Sequence, residues 1–138
     1  MVSALLVIIV FVLLSCGDSI DSKLNEKLAG ANKIKLYFFD KEHGTVENPK
    51  MIVTVSKQGD IKKIISSITD ETSEQFKCGY SGQLEIFKDN ELLLNPEFNF
   101  EEECRHYVFT YRDEVMFRMM TEEGSKLLKK YYERVSKD

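Results

Sequence analysis

The sequence predicts an α+β fold: an antiparallel sheet of about five to seven strands with two or three helices packed on one side, the last at the C-terminus. Three observations lead there. Apolar residues alternate with polar ones in several short runs, the period of a strand with one buried face. Other segments space their apolar residues by three and four, as an amphipathic helix does. Polar breaks such as Asp89-Asn90 join neighbouring runs as tight hairpins.

Each element has its own reason. Asp21 or Ser22 caps a short helix running to about residue 28, with Leu24 and Leu28 on one face at i, i+4. Residues 30–32 end it. Residues 33–39 alternate, with Ile34, Leu36 and Phe38 to one side and Lys35, Tyr37 and Phe39 to the other. A polar loop over 40–49 leads to a second strand, in which Met51, Val53 and Val55 share a face, and the two strands form a hairpin. Asp60 then caps a helix whose stripe is Ile61, Ile64, Ile65 and Ile68. Ile is a modest helix former, so a strand through 64–68 is the alternative.

Residues 70–74 form a polar link. Strands follow over 75–80 and 83–88, the second with Leu84 and Ile86 inward, and the chain returns over 91–94. Asn95-Pro96 breaks that run before Phe98 and Phe100 alternate again. Residues 101–103, all Glu, make a charged corner that keeps a sheet edge soluble. The run 104–111 is the clearest strand, with Cys104, His106, Val108 and Thr110 on one face and Arg105, Tyr107, Phe109 and Tyr111 on the other. Residues 112–114 turn it, and 115–120 form the last strand. Thr121 caps the final helix, Glu122 and Glu123 meet the positive end of its dipole, and Leu127, Leu128, Tyr131 and Val135 form its apolar stripe.

Charge and composition exclude some functions. The net charge is −4, and the only local basic cluster, Lys126, Lys129 and Lys130, reads as a solvated helix face, so no nucleic-acid partner is expected. Nine Phe and six Tyr are enough to fill one core. Gly-rich phosphate loops, nucleophile elbows and Cys-x-x-Cys pairs are absent from the sequence. The chain has two histidines. His43 lies beside Asp40 and Glu42, which offers metal-ligand chemistry but no recognised spacing; a solvated loop is expected, and no metal or cofactor. His106 shares a strand face with Cys104, but residues two apart on a strand are about 6.5–7 Å apart at Cα, too far for a ready nucleophile–base bond. A structural histidine and a non-enzymatic protein are expected. Tyr107, Phe109 and Tyr111, beside Phe117, form an aromatic stripe that reads as a packing layer, with a binding face as the alternative.

The N-terminus says most about location. Residues 2–14 are an unbroken apolar run, followed by Ser15, Cys16 and the polar Gly17 and Asp18. The stretch Leu13-Leu14-Ser15-Cys16 resembles the lipobox of a bacterial lipoprotein signal peptide. Residues 1–4 lack the Lys or Arg that such signals carry, and a start further upstream would supply it. The resemblance implies a signal peptide over residues 1–15 and a mature chain beginning at Cys16 with acyl chains on that residue; the residue patterning beyond it gives a tether and short helix over 16–32 and a single α+β domain over 33–138. It implies anchoring in a bacterial cell-envelope membrane, outer membrane or cell surface, since two or three acyl chains hold stably where one does not. With Cys16 acylated, Cys78 and Cys104 remain as an even pair in an exporting compartment, where a disulfide is expected; two free thiols are the alternative.

The function expected is a non-catalytic binding, assembly or structural role toward another envelope protein. The alternatives are an envelope inhibitor of a hydrolase such as lysozyme, using the 40–49 loop, and a small enzyme using His43 or His106.

Overall fold

The computed structural model describes residues 20–39, 51–74 and 78–137. Along them run α1 (Ile20–Leu28), β1 (Lys33–Phe38), β2 (Met51–Val55), α2 (Gln58–Ser66), β3 (Ile68–Thr72), β4 (Gly82–Lys88), β5 (Glu91–Leu94), β6 (Glu97–Asn99), a 3₁₀ turn at Glu102–Cys104, β7 (His106–Tyr111), β8 (Glu114–Met120) and α3 (Glu122–Val135). Among the described residues eight strands form one antiparallel sheet, ordered β2-β1-β4-β6-β7-β8-β3, with β5 also paired to β4. This is the α+β architecture the sequence predicts, C-terminal helix included, with one strand beyond the expected range.

Strand alternation decides which side is core. Ile34, Leu36 and Phe38 of β1, Leu84 and Ile86 of β4, Phe98 of β6 and Tyr107 of β7 are fully buried. Their neighbours Lys35, Tyr37, Gln83 and Glu85 face the other way and stay partly exposed. Over the buried face close Leu24 and Leu28 of α1, Ile61 and Ile64 of α2, and Leu128 and Tyr131 of α3. The packed core thus takes in α1 as well as the sheet. Each such side chain contributes about 1.5–3 kcal/mol by leaving water. Phe38 sits among Phe98, Phe100 and Tyr132, with ring centroids 5.5–6.3 Å apart in edge-on pairs. An ion pair from Asp21 to Arg118 at 2.9 Å ties the start of α1 to β8.

Two turns set the register. Asp89-Asn90 and Arg112-Asp113 all have positive φ, the two-residue turn that matches the twist of a hairpin. β5 and β6 share one edge of β4, β5 along its end and β6 along its start. At that start Gly82 passes so close to the Tyr37 carbonyl and the Phe98 ring that any Cβ would run into both.

Ser67, just past α2, joins three elements. Its hydroxyl donates to the Ile64 carbonyl at 2.6 Å, so the Tyr107 hydroxyl, 2.7 Å away, donates to Ser67. Its carbonyl accepts the Thr121 N–H at 3.1 Å. Thr121 then caps α3 as expected, accepting the Gly124 N–H at 3.2 Å. Gly124 lies against the Ser67 side chain with no room for a Cβ.

Several expectations are corrected. Residues 70–74 are not all link: β3 runs to Thr72 and pairs with β8, taking Ile68 out of the helix stripe. Asp60 is no cap, because α2 begins at Gln58 and Lys57 holds the cap position. No strand covers residues 78–80. Cys104 belongs to the 3₁₀ turn and not to β7. Phe117 pairs with Val108, which puts it on the face opposite Tyr107, Phe109 and Tyr111.

Candidate functional site

The residues of interest gather in two places on one side of the sheet. The first is the corner around Cys78 and Cys104. These two cysteines lie at disulfide-bonding distance, with Cα atoms 6.3 Å apart. Cys104 closes the 3₁₀ turn, and Cys78 lies on the segment leading into β4. Asn99, a buried residue of β6, fastens that segment: its amide donates to the Gly79 carbonyl at 3.0 Å, and its Oδ1 accepts the Glu101 N–H at 2.8 Å.

His106 lies under this corner. It is only 2% exposed, and its Nδ1 is 2.6 Å from the Cys104 carbonyl oxygen. A ring nitrogen facing a carbonyl carries the proton, so Nδ1–H donates. The Tyr80 ring stands 5.9 Å from the imidazole, centroid to centroid. Burial, and then the Glu97 carboxylate, raise the Tyr80 phenol above its ordinary value. Cys104 and His106 therefore meet through a backbone carbonyl, with the Cys104 sulfur directed to Cys78. A sulfur engaged in a disulfide has no thiolate for a base to generate.

The second place is the sheet face away from the helices. Cross-strand pairing lays it out as a grid: Ile52 and Thr54 on β2; Lys33, Lys35 and Tyr37 on β1; Gln83, Glu85 and Phe87 on β4; Glu97 on β6; Val108 and Thr110 on β7; Val115, Phe117 and Met119 on β8. One half is aromatic and charged. Tyr37 donates to Glu85 at 2.7 Å, and Lys33 and Lys35 hold their ammonium groups 4.9 and 5.6 Å from the Phe87 ring centre. Burial, then the bond to Glu85 and its charge, push the Tyr37 phenol up to about 12. The other half is apolar, with Val108, Phe117 and Met119 half-buried and Val115 55% exposed. Ile52 at the far strand is 56% exposed.

The aromatic stripe Tyr107, Phe109 and Tyr111 is core, with all three rings buried on the helix side. Phe117, expected beside that stripe, lies instead on the open face, as does Phe87 of β4, which the sequence did not single out. The signal of that face is present in 33–38 and 82–88: Tyr37 and Phe87 are aromatic at positions where simple alternation wants polar residues. His43, Asp40, Glu42, the 40–49 loop and Cys16 lie outside the described residues. Among the described residues no group of three or more His, Cys, Asp or Glu side chains is placed to hold a metal ion, and no helix is long and apolar enough to cross a membrane.

The chain matches no protein-family model, no curated protein and no solved structure.

Proposed function

We propose that this chain is a lipid-anchored protein of the bacterial cell envelope, held by acyl chains on Cys16, and that it binds another envelope protein through the open face of its sheet without performing catalysis. The observation that carries the binding role is that face. It sets exposed Val115 and Ile52, and half-buried Phe87, Val108 and Phe117, among charged groups of both signs. The apolar patch of Val108, Val115 and Phe117 on β7 and β8 lies beside the charged strands β1, β4 and β6, and an exposed apolar patch with polar neighbours suits a protein–protein contact surface. The anchor is supported by the apolar run ending at Leu13-Leu14-Ser15-Cys16. The pairing distance of Cys78 and Cys104 fits an exported chain. Confinement at a membrane raises the effective concentration of a domain toward neighbours held there, which favours a binding role.

Two measurements test this reading. Feeding the native host an alkynyl fatty acid should label the wild-type chain and not Cys16→Ala; a mature protein that keeps Met1 would falsify the anchor. A photo-crosslinking residue at Val115 or Phe117 should yield one discrete protein adduct in the envelope, while the same residue at Glu133 on α3 yields none. Equal adducts from both positions would remove the open face as the binding surface. The hydrolase-inhibitor reading depends on the 40–49 loop and is taken no further.

A further inference from the structure

A groove of about 420 Å³ opens on the opposite side of the molecule, where β2, α2 and α3 meet. Four cations line it: Lys57 and Lys63 from α2 and its cap, and Lys130 and Arg134 one turn apart on α3. Asp60 is the one carboxylate among its lining residues. The chain as a whole is acidic, at −4, so the sign of charge is inverted locally.

The pairing of these groups is uneven. Elsewhere on α3, Lys126 is neutralised by Glu122 at 2.6 Å. Among the described residues none of the four groove cations forms an ion pair. Asp60 is committed to Tyr131, whose hydroxyl donates to its Oδ2 at 2.7 Å; Oδ1 has no partner among the described residues. Tyr131 also carries the Arg134 guanidinium over its ring at 5.3 Å, so one aromatic residue positions both a cation and the carboxylate. The positive end of α2 adds to the field, since no side chain caps it.

We propose that this groove binds a phosphate ester that also bears a hydroxyl group, as glycerol phosphate does, supplied either as a soluble molecule or as a lipid headgroup. Several cations along one groove suit an anion with several oxygens better than a carboxylate, and a guanidinium takes phosphate in bidentate fashion. The Asp60 Oδ1 atom accepts the ligand hydroxyl, and its negative charge repels phosphate oxygens, so an ester that presents a neutral C–OH there is favoured over inorganic phosphate. This site is independent of the open face and of the anchor.

The test uses the full-length chain in detergent micelles, followed by amide NMR. Glycerol 3-phosphate should shift the signals of Lys57, Lys63 and Lys130 saturably, and inorganic phosphate should do so at least tenfold more weakly. The double variant Lys63→Gln with Lys130→Gln should weaken binding at least tenfold. The pair Lys126→Gln with Lys129→Gln makes the same change in net charge on the rest of α3 and should alter it less than twofold. Reconstitution into phosphatidylcholine vesicles with and without phosphatidylglycerol separates the sources: shifts that need phosphatidylglycerol assign the lipid headgroup, and shifts from added glycerol phosphate assign the soluble ester. Equal weakening by the two double variants, or no shift with any of the probes, overturns the proposal.

Discussion

The two faces of the sheet are made from the same strands and obey opposite rules. On the helix side, Ile34, Leu36, Leu84 and Ile86 have no exposed surface at all. One residue along the same backbone, Lys35 and Glu85 face each other across β1 and β4, and Tyr37 and Phe87 lie half in water. The first face supplies the stability, and that leaves the second free to vary its chemistry. Substitutions should therefore separate cleanly by face.

The largest expected contrast is between Phe38→Ala and Ile52→Ala. Phe38 is packed among three rings, and its truncation should cost about 3–5 kcal/mol, read as a fall in the denaturant midpoint. Ile52, across the sheet and mostly exposed, should shift stability by no more than about 0.5 kcal/mol. Comparable losses from the two would erase the distinction between faces.

Reducing the Cys78–Cys104 pair tests a covalent tie at the corner above His106. Its sequence separation is 26, for which the chain-entropy relation gives about 3–4 kcal/mol before any strain. Unfolding with and without a reductant reads that difference directly, and an unchanged midpoint would mean that the pair is not bonded in solution.

A third contrast lies within the helix layer. Gly124→Ala forces a Cβ into the Ser67 side chain and should cost about 1–3 kcal/mol. In a Ser67→Gly background the same change should cost less, because the neighbour it strikes is gone.

Alkaline pH acts on both sides at once. The phenols of Tyr37 and Tyr131 are each pushed up to about 12, first by burial and then by the carboxylates of Glu85 and Asp60. Folding thus favours the protonated phenols. Stability is full below pH 10, where the unfolded chain begins to ionise, and falls as the pH rises toward 12. Tyr37→Phe should flatten part of that decline, and unfolding curves between pH 9 and 12 test the sign (on the order of the pKa values involved). The smallest effect belongs to the turn before β8. Arg112 holds φ at 52°, where Asn is better suited, so Arg112→Asn should raise stability by about 0.5 kcal/mol.

Most of the strands were legible because one face of each is buried, which writes period two into the residues. β3 was not. Its sequence, Ile-Thr-Asp-Glu-Thr, lies at the end of the strand order, its last three residues are exposed, and it carries no apolar alternation. The stripe ending in Ile68 fitted a helix until pairing with Met120 drew that residue into the sheet. Phe117 shows how little it takes to misplace a side chain. A three-residue turn over 112–114 puts it beside Tyr107 and Phe109. The actual turn has two residues, and the one-step change in register moves it to the other face. The groove cations were half legible: Lys130 stood out as part of a basic cluster, but only the packing of α2 against α3 brings Lys57 and Lys63 near it.

The junction at Ser67 governs how the helix layer can move. The last turn of α2 and the first turn of α3 are fastened there, like the vertex of a pair of tongs. At the other end the Tyr131 hydroxyl holds the Asp60 carboxylate at 2.7 Å, so spreading is confined to the residues beyond that bond, near Gln58 and Arg134. Amide exchange should register this as slow protection at positions 67 and 124 and faster opening toward 58 and 134.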